Sequence, residues 1–475
     1  MLRVYLDTNV LNELRTSKDA AVIRFKDSVL KHKANFLYCY STPHLIDLLR
    51  DTSDNKFDDL AFMEELVNDN YIRLDKDSEH RVTCYRYNPV EAFNEDVNQE
   101  YYGNIQDSLK VLNDPELLSQ HPHIGDMLNK KMDFGLPDFD KLPEASRKML
   151  EMFFPNSKDG ISVNDMLGKF SGFYNNWMSK GSDSYRDMRR SILETLPLAQ
   201  YDLDITELSF DRDFKETPVG KTFMELVEQT VANQSEEKTF FKKFTTAYLS
   251  LNILGLDNEK NKKARFSNTL HDAQHVFFGG HCDILVTQEK GMITKAKALY
   301  NLFKSDTQVY SMEEFMDSIN IIGDTTEPSS EKFWELFIQQ YKNGMVLDRM
   351  PDIEAGEKYD ILKTQNRFLG YFNRMQKPSD GYNGDIVLTN NPRNFSVFTF
   401  FDEIRAVVNK AAKLFGTDYQ FKGEFTEAEE DEIRSKTWQG RHWDYGKEMN
   451  FSLSFLFDRG RLAFIVRINT NHDNN

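Results

Sequence analysis

Short apolar strands alternate with amphipathic helices in two separate parts of this chain, residues 1–75 and residues 266–322. The predicted strands are LRVYLD, NFLYCYS and YIRL in the first part, and DILVT and QVY in the second. Apolar residues spaced three and four apart predict helices between them. Because a strand, a crossover helix and a further strand form a parallel pair, the alternation predicts an α/β fold with one parallel sheet covered by helices.

Two other regions differ from this pattern. Residues 76–265 carry polar joints between helical patterns, namely SVNDMLGKFSGFYNNWMS, SDSYRDMRRSILETL and KTFFKKFTTAYLSLNILGL. They predict a large, mostly helical insertion. In residues 331–475, the segments EKFWELFIQQYKNGM, YDILKTQNRFLGYFNRM and FDEIRAVVNKAAKLFG predict helices, whereas GDIVLT, SVFTFF, NFSLSFLF and RLAFIVRI predict strands. We expect a separate α+β domain there.

The composition limits the classes of protein to consider. At 475 residues, with 40% hydrophobic and 28% charged residues, the chain is long enough for two or three globular domains. A net charge of -17 argues against tight, non-specific duplex binding, whose affinity comes from neutralising phosphates. The sequence lacks a long apolar run, and Asp7 interrupts any signal peptide, so we expect a cytoplasmic protein without membrane contact. Its three cysteines make no CxxC pair, which disfavours a thiolate zinc site.

Acidic residues stand at or near the ends of the predicted strands. Asp7 ends the first strand, Asp47 lies in the helix after the second, Asp272 precedes the fourth strand, and Glu289 follows it. The carboxyl ends of parallel strands share one edge, where open α/β sheets bind their ligands. Clustered carboxylates raise one another's pKa, and a divalent cation is their natural counter-charge. Oxygen ligands alone favour Mg²⁺ or Mn²⁺ over zinc.

Several segments resemble the PIN-domain nuclease family. VYLDTNVLNEL is similar to the family's opening, in which an aspartate ends the first strand and a small polar residue follows two positions later. STPHLIDLL, HDAQHVFFGGHCDILVTQEKGMITKAKAL and QVYSMEEFMDSI are similar to its later motifs. These matches lie in residues 1–75 and 266–319 and cover under a third of the chain. The resemblance implies a PIN-like domain built from both parts.

The same resemblance implies a set of site residues. Four acids would bind the metal: Asp7, Asp47, Asp272 and Glu289. Asn9 and Thr287 would orient them through hydrogen bonds, and Asp283 would be an additional acid near the site or only a cap of its strand. Two departures from the family stand out, because Asp47 is one methylene shorter than the usual glutamate and Glu289 is one methylene longer than the usual aspartate.

The activity implied is Mg²⁺- or Mn²⁺-dependent hydrolysis of RNA phosphodiester bonds by an endoribonuclease, by analogy a regulated toxin-like or defence nuclease. A non-catalytic PIN-fold interaction scaffold and a structure-specific DNA nuclease remain alternatives. The domain at 331–475 is a candidate for binding a protein partner or a second copy of the chain.

Other features leave more than one interpretation open. Four histidines lie near the acids in the sequence: His44, His271, His275 and His281. Structural roles are favoured over a histidine metal site, and we expect His275, one turn beyond Asp272, to contact the ligands. The basic runs KNKKAR and RDMRR, and the stretch TWQGRHWDYGKEMNF, are candidates for phosphate or base contacts, or else solvated faces and core edges.

Overall fold

The computed structural model describes residues 1–75, 78–100, 184–196, 198–234, 238–256, 266–323, 329–351, 358–379, 384–445 and 449–468, with residues 130, 131, 147 and 162. Beyond Ser162, the helix predicted in SVNDMLGKFSGFYNNWMS lies outside this part of the chain, as does the basic run KNKKAR. Among the described residues, no helix has both the length and the apolar character needed to cross a membrane.

Six strands form the first sheet, in the order β4-β3-β2-β1-β5-β6. Their bounds are β1 (Leu2–Leu6), β2 (Phe36–Ser41), β3 (Asn70–Asp75), β4 (Ser78–Arg86), β5 (Ile284–Thr287) and β6 (Gln308–Ser311). Strands β1, β2, β3, β5 and β6 pair in parallel, and β4 pairs antiparallel with β3. The α/β fold is confirmed, and strands from two distant parts of the chain pair in this one sheet.

Strand β4 corrects one expectation, because it lies in the range predicted to be mostly helical. The segment follows β3 so closely that the chain turns back at once, as an antiparallel hairpin does. Its residues pair directly with β3, with Leu74 opposite Val82 and Ile72 opposite Cys84. The sheet is therefore mixed, with an antiparallel strand added at its edge.

Helices cover both faces of this sheet. In chain order they are α1 (Thr8–Thr16), α2 (Ala20–Lys31), α3 (Thr42–Arg50), α4 (Asn55–Val67), α5 (Pro89–Glu100), α6 (Ser184–Thr195), α7 (Phe210–Asp213), α8 (Phe223–Gln234), α9 (Phe240–Ile253), α10 (Phe266–Gly279), α11 (Lys290–Leu302) and α12 (Met312–Gly323). Successive side chains of β1 point to opposite faces. Val4 and Leu6 pack with α1 to α5 and α12, whereas Tyr5 packs with the core that α7 to α11 form. The helices predicted in SDSYRDMRRSILETL and KTFFKKFTTAYLSLNILGL correspond to α6 and α9.

A second sheet of seven strands has the order β11-β12-β13-β10-β9-β8-β7, and each of its neighbouring pairs is antiparallel. Its strands are β7 (Met345–Pro351), β8 (Lys358–Phe368), β9 (Phe372–Pro378), β10 (Ile386–Thr389), β11 (Arg441–Tyr445), β12 (Met449–Leu456) and β13 (Arg461–Ile468). Helices α13 (Ser330–Asn343), α14 (Phe401–Phe415) and α15 (Glu427–Arg434) accompany it. One core joins this sheet to the helices, consistent with the predicted α+β character.

Two element predictions in this region were wrong. The segment YDILKTQNRFLGYFNRM, predicted as a helix, is the hairpin of β8 and β9, in which Leu362 lies opposite Met375 and both are fully buried. The segment SVFTFF, predicted as a strand, has no strand partner. Its backbone instead forms a hydrogen bond with a side chain of the first sheet, in which the Phe398 carbonyl accepts from Arg3.

Arg3 joins the first sheet to helix α14 of the second domain through a buried ion pair. Its guanidinium donates to both oxygens of Glu403 at 2.8 and 2.7 Å, and also to Ser396 Oγ at 2.5 Å. The side chains of Arg3 and Glu403 are each only 4% exposed. Because Arg3 lies near the amino end of β1, the second domain packs against the amino edge of the first sheet.

We expect His281 to make the protein sensitive to acid. It is buried among the rings of Phe277, Phe395 and Phe398, and burial lowers its pKa from 6.5 to about 3. The unfolded chain takes up this proton near pH 6.5 whereas the folded chain does not, so the free energy of unfolding falls as the pH drops below 6.5. Between pH 7.5 and 4.5, the His281→Leu variant should lose about 3 kcal/mol less free energy of unfolding than the wild-type protein. Urea unfolding of both proteins across that range measures this difference. Equal losses of stability in the two proteins would show that His281 is not the source of the sensitivity to acid.

Candidate functional site

The strand order of the first sheet reverses at β1, with β2 and β3 on one side and β5 and β6 on the other. In open α/β sheets, ligands bind outside the carboxyl ends of the strands at such a reversal. A polar cleft of about 350 Å³ lies at this position. All four predicted acids line it, together with polar and basic neighbours: Asp7, Asp47, Asp272, Glu289, Thr8, Asn9, Arg50, His271 and His275.

Asp7 is held rigidly where β1 meets α1. Its Oδ1 accepts the backbone N–H of Thr8 at 2.9 Å, which caps the helix, and its Oδ2 accepts the hydroxyl of Thr287 at 2.9 Å. Thr287 ends β5 and is fully buried, so it links the two central strands at their carboxyl ends. Burial raises the pKa of Asp7 despite the opposing charge of His275. The orienting role predicted for Thr287 agrees with this contact.

Asp47 projects from α3 and is engaged by two side chains. Its Oδ2 accepts the Thr8 hydroxyl at 2.8 Å and lies 2.9 Å from Nε2 of His275. Burial acts to raise the pKa of Asp47, but the hydrogen bond and charge of His275, with the Thr8 hydrogen bond, lower it to about 2. Asp47 is therefore ionised and is the acid most fully compensated by protein groups.

His275 sits behind the acids and is almost completely buried. Its Nδ1 lies 2.9 Å from the Tyr5 hydroxyl, which in turn lies 2.6 Å from Ser41 Oγ. Burial lowers the pKa of His275, but the Asp47 hydrogen bond and the surrounding carboxylates outweigh it and raise the pKa above 6.5. This contact matches the expectation that His275 touches the predicted ligands.

His44 is a structural residue of the same region. Ser41 donates its backbone N–H to Nδ1 of His44 at 3.1 Å, so Nε2 carries the proton and donates it to the Leu6 carbonyl at 2.8 Å. Burial lowers the pKa of His44 to about 3, so the ring is neutral. Both ring nitrogens are thus occupied by backbone partners, which joins the start of α3 to the end of β1.

Asp272 and Glu289 are the other two predicted acids in the lining, which also contains Asp51 and Asp59. Asp272 lies on α10, and burial, followed by the charges of Glu289 and Asp7, raises its pKa well above 3.8. Glu289 immediately precedes α11 and is exposed, and its Oε1 accepts the Asn9 amide at 2.9 Å. The Asn9 contact agrees with the orienting role predicted for that residue. Negative charge at Asp272 is therefore only partly offset by protein groups.

The residue types of the cleft fit a hard divalent cation, because carboxylate oxygens are the donors that Mg²⁺ and Mn²⁺ prefer. The raised pKa of Asp272 also indicates a position where added positive charge is favourable. Within the described ranges, however, no three His, Cys, Asp or Glu side chains converge closely enough to hold an ion.

Asp283 lies elsewhere in the molecule. It precedes β5 at the amino edge of the sheet, where its Oδ2 accepts the backbone N–H of Arg3 and its Oδ1 accepts Arg367 of the second domain, both at 2.9 Å. Burial opposes ionisation, but Arg367 and then Arg3 outweigh it and lower the pKa of Asp283. It belongs to the contact between the domains and does not line the cleft.

The structure also places residues that sequence reasoning left out or left open. Thr8, which contacts Asp47, was missed, although its position directly after Asp7 was a usable signal. Trp438 and Trp443 are buried in the second core, and Arg441 is fully buried in an ion pair with Glu429, so these three are core residues rather than base contacts.

Replacing Asp272 by asparagine should stabilise the metal-free protein. The folded pKa of Asp272 is raised, so the folded state holds this proton more tightly than the unfolded chain, and ionisation at any pH above 3.8 costs stability. Asp272→Asn removes that cost, and urea unfolding at pH 7 in EDTA should give a larger free energy of unfolding than for the wild-type protein. A smaller value would contradict the charge strain inferred at this position.

No protein-family model, no curated protein and no solved structure matches the chain significantly.

Proposed function

We propose that this protein is a divalent-metal-dependent endoribonuclease that hydrolyses RNA phosphodiester bonds. One observation supports this most strongly: four acids from distant segments line a single polar cleft at the strand reversal of an α/β sheet. The segments that carry these acids are those that resemble PIN-domain nucleases. The net charge of -17 disfavours general RNA binding, so we propose restricted cleavage, as in toxin-like or defence nucleases.

The residues of the cleft have separate roles in the proposed reaction. Asp7, Asp47, Asp272 and Glu289 would hold Mg²⁺ or Mn²⁺. When bound, such an ion polarises the scissile phosphate and lowers the pKa of a coordinated water. Thr8, Thr287 and Asn9 keep the carboxylates oriented through the hydrogen bonds that they donate. Arg50 lines the same cleft and supplies a positive charge for a phosphate oxygen.

Cleavage assays on the full chain test this proposal. End-labelled single-stranded RNA, single-stranded DNA and flap-structured DNA are incubated with Mg²⁺, Mn²⁺ or EDTA. We expect internal cuts in the RNA that need the metal and leave a 5′-phosphate. Cleavage of the DNA in preference to RNA would replace this proposal with the structure-specific DNA nuclease.

A non-catalytic scaffold is the second candidate, and two observations favour it. Asp47 is already bound by His275 and Thr8, and no three metal-binding side chains converge in the described part of the chain. A true cation site would stabilise the folded protein by mass action, by about 2.7 kcal/mol at one hundred times the dissociation constant. An unchanged melting temperature with Mn²⁺, together with uncut RNA, would favour the scaffold.

A further inference from the structure

A second cavity, of about 400 Å³, lies between the two domains. Leu2 and Phe36 line it from the starts of β1 and β2, so it opens at the amino edge of the first sheet. The acidic cleft lies at the carboxyl edge, beyond Asp7. The two cavities are therefore at opposite ends of the same strands, and this second one serves no step of the proposed hydrolysis.

The walls of the interdomain cavity are mainly apolar. Apolar side chains from both domains form most of them, among them Leu2, Phe36, Phe333, Leu336, Phe368 and Leu414. A cavity of several hundred cubic ångströms with such walls, at a domain boundary, has the size and lining typical of small-molecule sites. The apolar part of a ligand would be buried from water against these walls.

Positive groups gather at the rim of this cavity. Arg367 and Lys410 line it, and the amino group of Met1 donates to the Gly370 carbonyl at 3.0 Å. Burial and the charge of Lys410 lower the pKa of that amino group to about 5, so it is neutral at pH 7 and the positive charge of the rim comes from the two side chains. Lys410 also lines an adjoining surface groove with Lys413 and Lys422. The rim therefore favours an anion, although Asp283 already pairs with Arg367.

A turn with an unusual backbone conformation forms one wall. Leu369 has a φ of 52°, in the left-handed region that residues with a Cβ seldom occupy, and Gly370 follows it at 70°. Two consecutive positive φ angles are typical of the tight turn of a β-hairpin. The turn joins β8 to β9 and brings Phe368, Leu369 and Gly370 to the cavity.

We propose that the interdomain cavity binds a small amphipathic carboxylate, with its apolar chain against these apolar walls and its carboxylate near Lys410 and Arg367. This ligand contacts both domains, so it strengthens their association. The inference rests on the interdomain cavity alone and is independent of the nuclease proposal.

Titration of the full-length protein with octanoate tests the site. Calorimetry should show saturable binding of octanoate, and 1-octanol, which has the same chain without the charge, should bind at least about 10-fold more weakly, the usual cost of losing a charged hydrogen bond. Octanoate should also raise the melting temperature. Octanoate without saturable binding, or octanol binding equally well, would overturn the proposal.

Three variants locate the binding. Lys410→Met should weaken octanoate binding about 10-fold or more, whereas Lys413→Met, in the adjoining groove and outside the cavity, should leave it unchanged. Leu414→Trp fills the cavity and should abolish binding. If that variant does not fold, the comparison of Lys410→Met with Lys413→Met decides, and equal affinities of those two variants would refute the site.

Discussion

Asp272→Asn is expected to lower metal-dependent RNA cleavage by at least about 100-fold. Residues that merely support metal ligands typically cost 10- to 100-fold when replaced, so loss of a ligand itself should cost no less. The same change should stabilise the metal-free protein, because Asp272 carries a strongly raised pKa. Lower activity with higher stability would separate a lost ligand from a folding defect.

Asp283→Asn is the matched control for this experiment. It makes the same chemical change only eleven positions further along the chain, but at the amino edge of the sheet, where Asp283 contacts Arg3 and Arg367. Initial cleavage rates with saturating Mn²⁺ should be unchanged for Asp283→Asn. Equal losses for the two variants, or full activity of Asp272→Asn, would contradict the placement of the metal at the cleft.

Arg3→Met is expected to lower the free energy of unfolding by about 3–5 kcal/mol, the usual cost of leaving one member of a buried ion pair without its partner. Glu403 would remain 4% exposed without its counter-charge, and the Ser396 hydroxyl and the Phe398 carbonyl would lose their donor. Urea unfolding at pH 7 measures the difference between this variant and the wild-type protein.

Two further variants interpret that loss. The double change Arg3→Met/Glu403→Leu removes both charges and should recover much of the stability, because apolar replacement of a buried pair is often tolerated. Arg467→Met breaks the exposed pair with Asp385, in which Arg467 is 61% exposed, and should cost at most about 1 kcal/mol. A loss for Arg3→Met no larger than that of Arg467→Met would show that the buried pair does not stabilise the joint between the domains.

The convergence of the four acids could be predicted because it depends only on strand direction. Asp7 and Glu289 follow two parallel strands, and the carboxyl ends of parallel strands lie at the same edge of the sheet. The same reasoning explains Asp283. It lies four residues before Thr287, and at about 3.3 Å per residue a strand separates them by roughly 13 Å, which is enough to place Asp283 at the opposite edge.

Other features depend on contacts between residues that are distant in the sequence. Arg3 has the pattern of a solvent-facing strand residue, and its partner Glu403 lies 400 positions away. The sequence indicates that His275 lies near the acids, but its pairing with Asp47 in particular depends on the packing of α10 against α3. The hairpin around Leu369 was mistaken for a helix because its apolar residues also fit a helical spacing, and only the pairing of Leu362 with Met375 distinguishes the two.

Direct titration of the full-length protein with Mn²⁺, followed by electron paramagnetic resonance, measures whether the acids of the cleft bind a divalent cation. We expect saturable Mn²⁺ binding that Mg²⁺ displaces, and loss of that binding in the Asp7→Asn/Asp272→Asn variant. Asp283→Asn should bind Mn²⁺ as the wild-type protein does. If wild-type protein leaves Mn²⁺ free in solution, or the double variant binds it equally well, the cleft is not a metal site and the proposed nuclease mechanism fails.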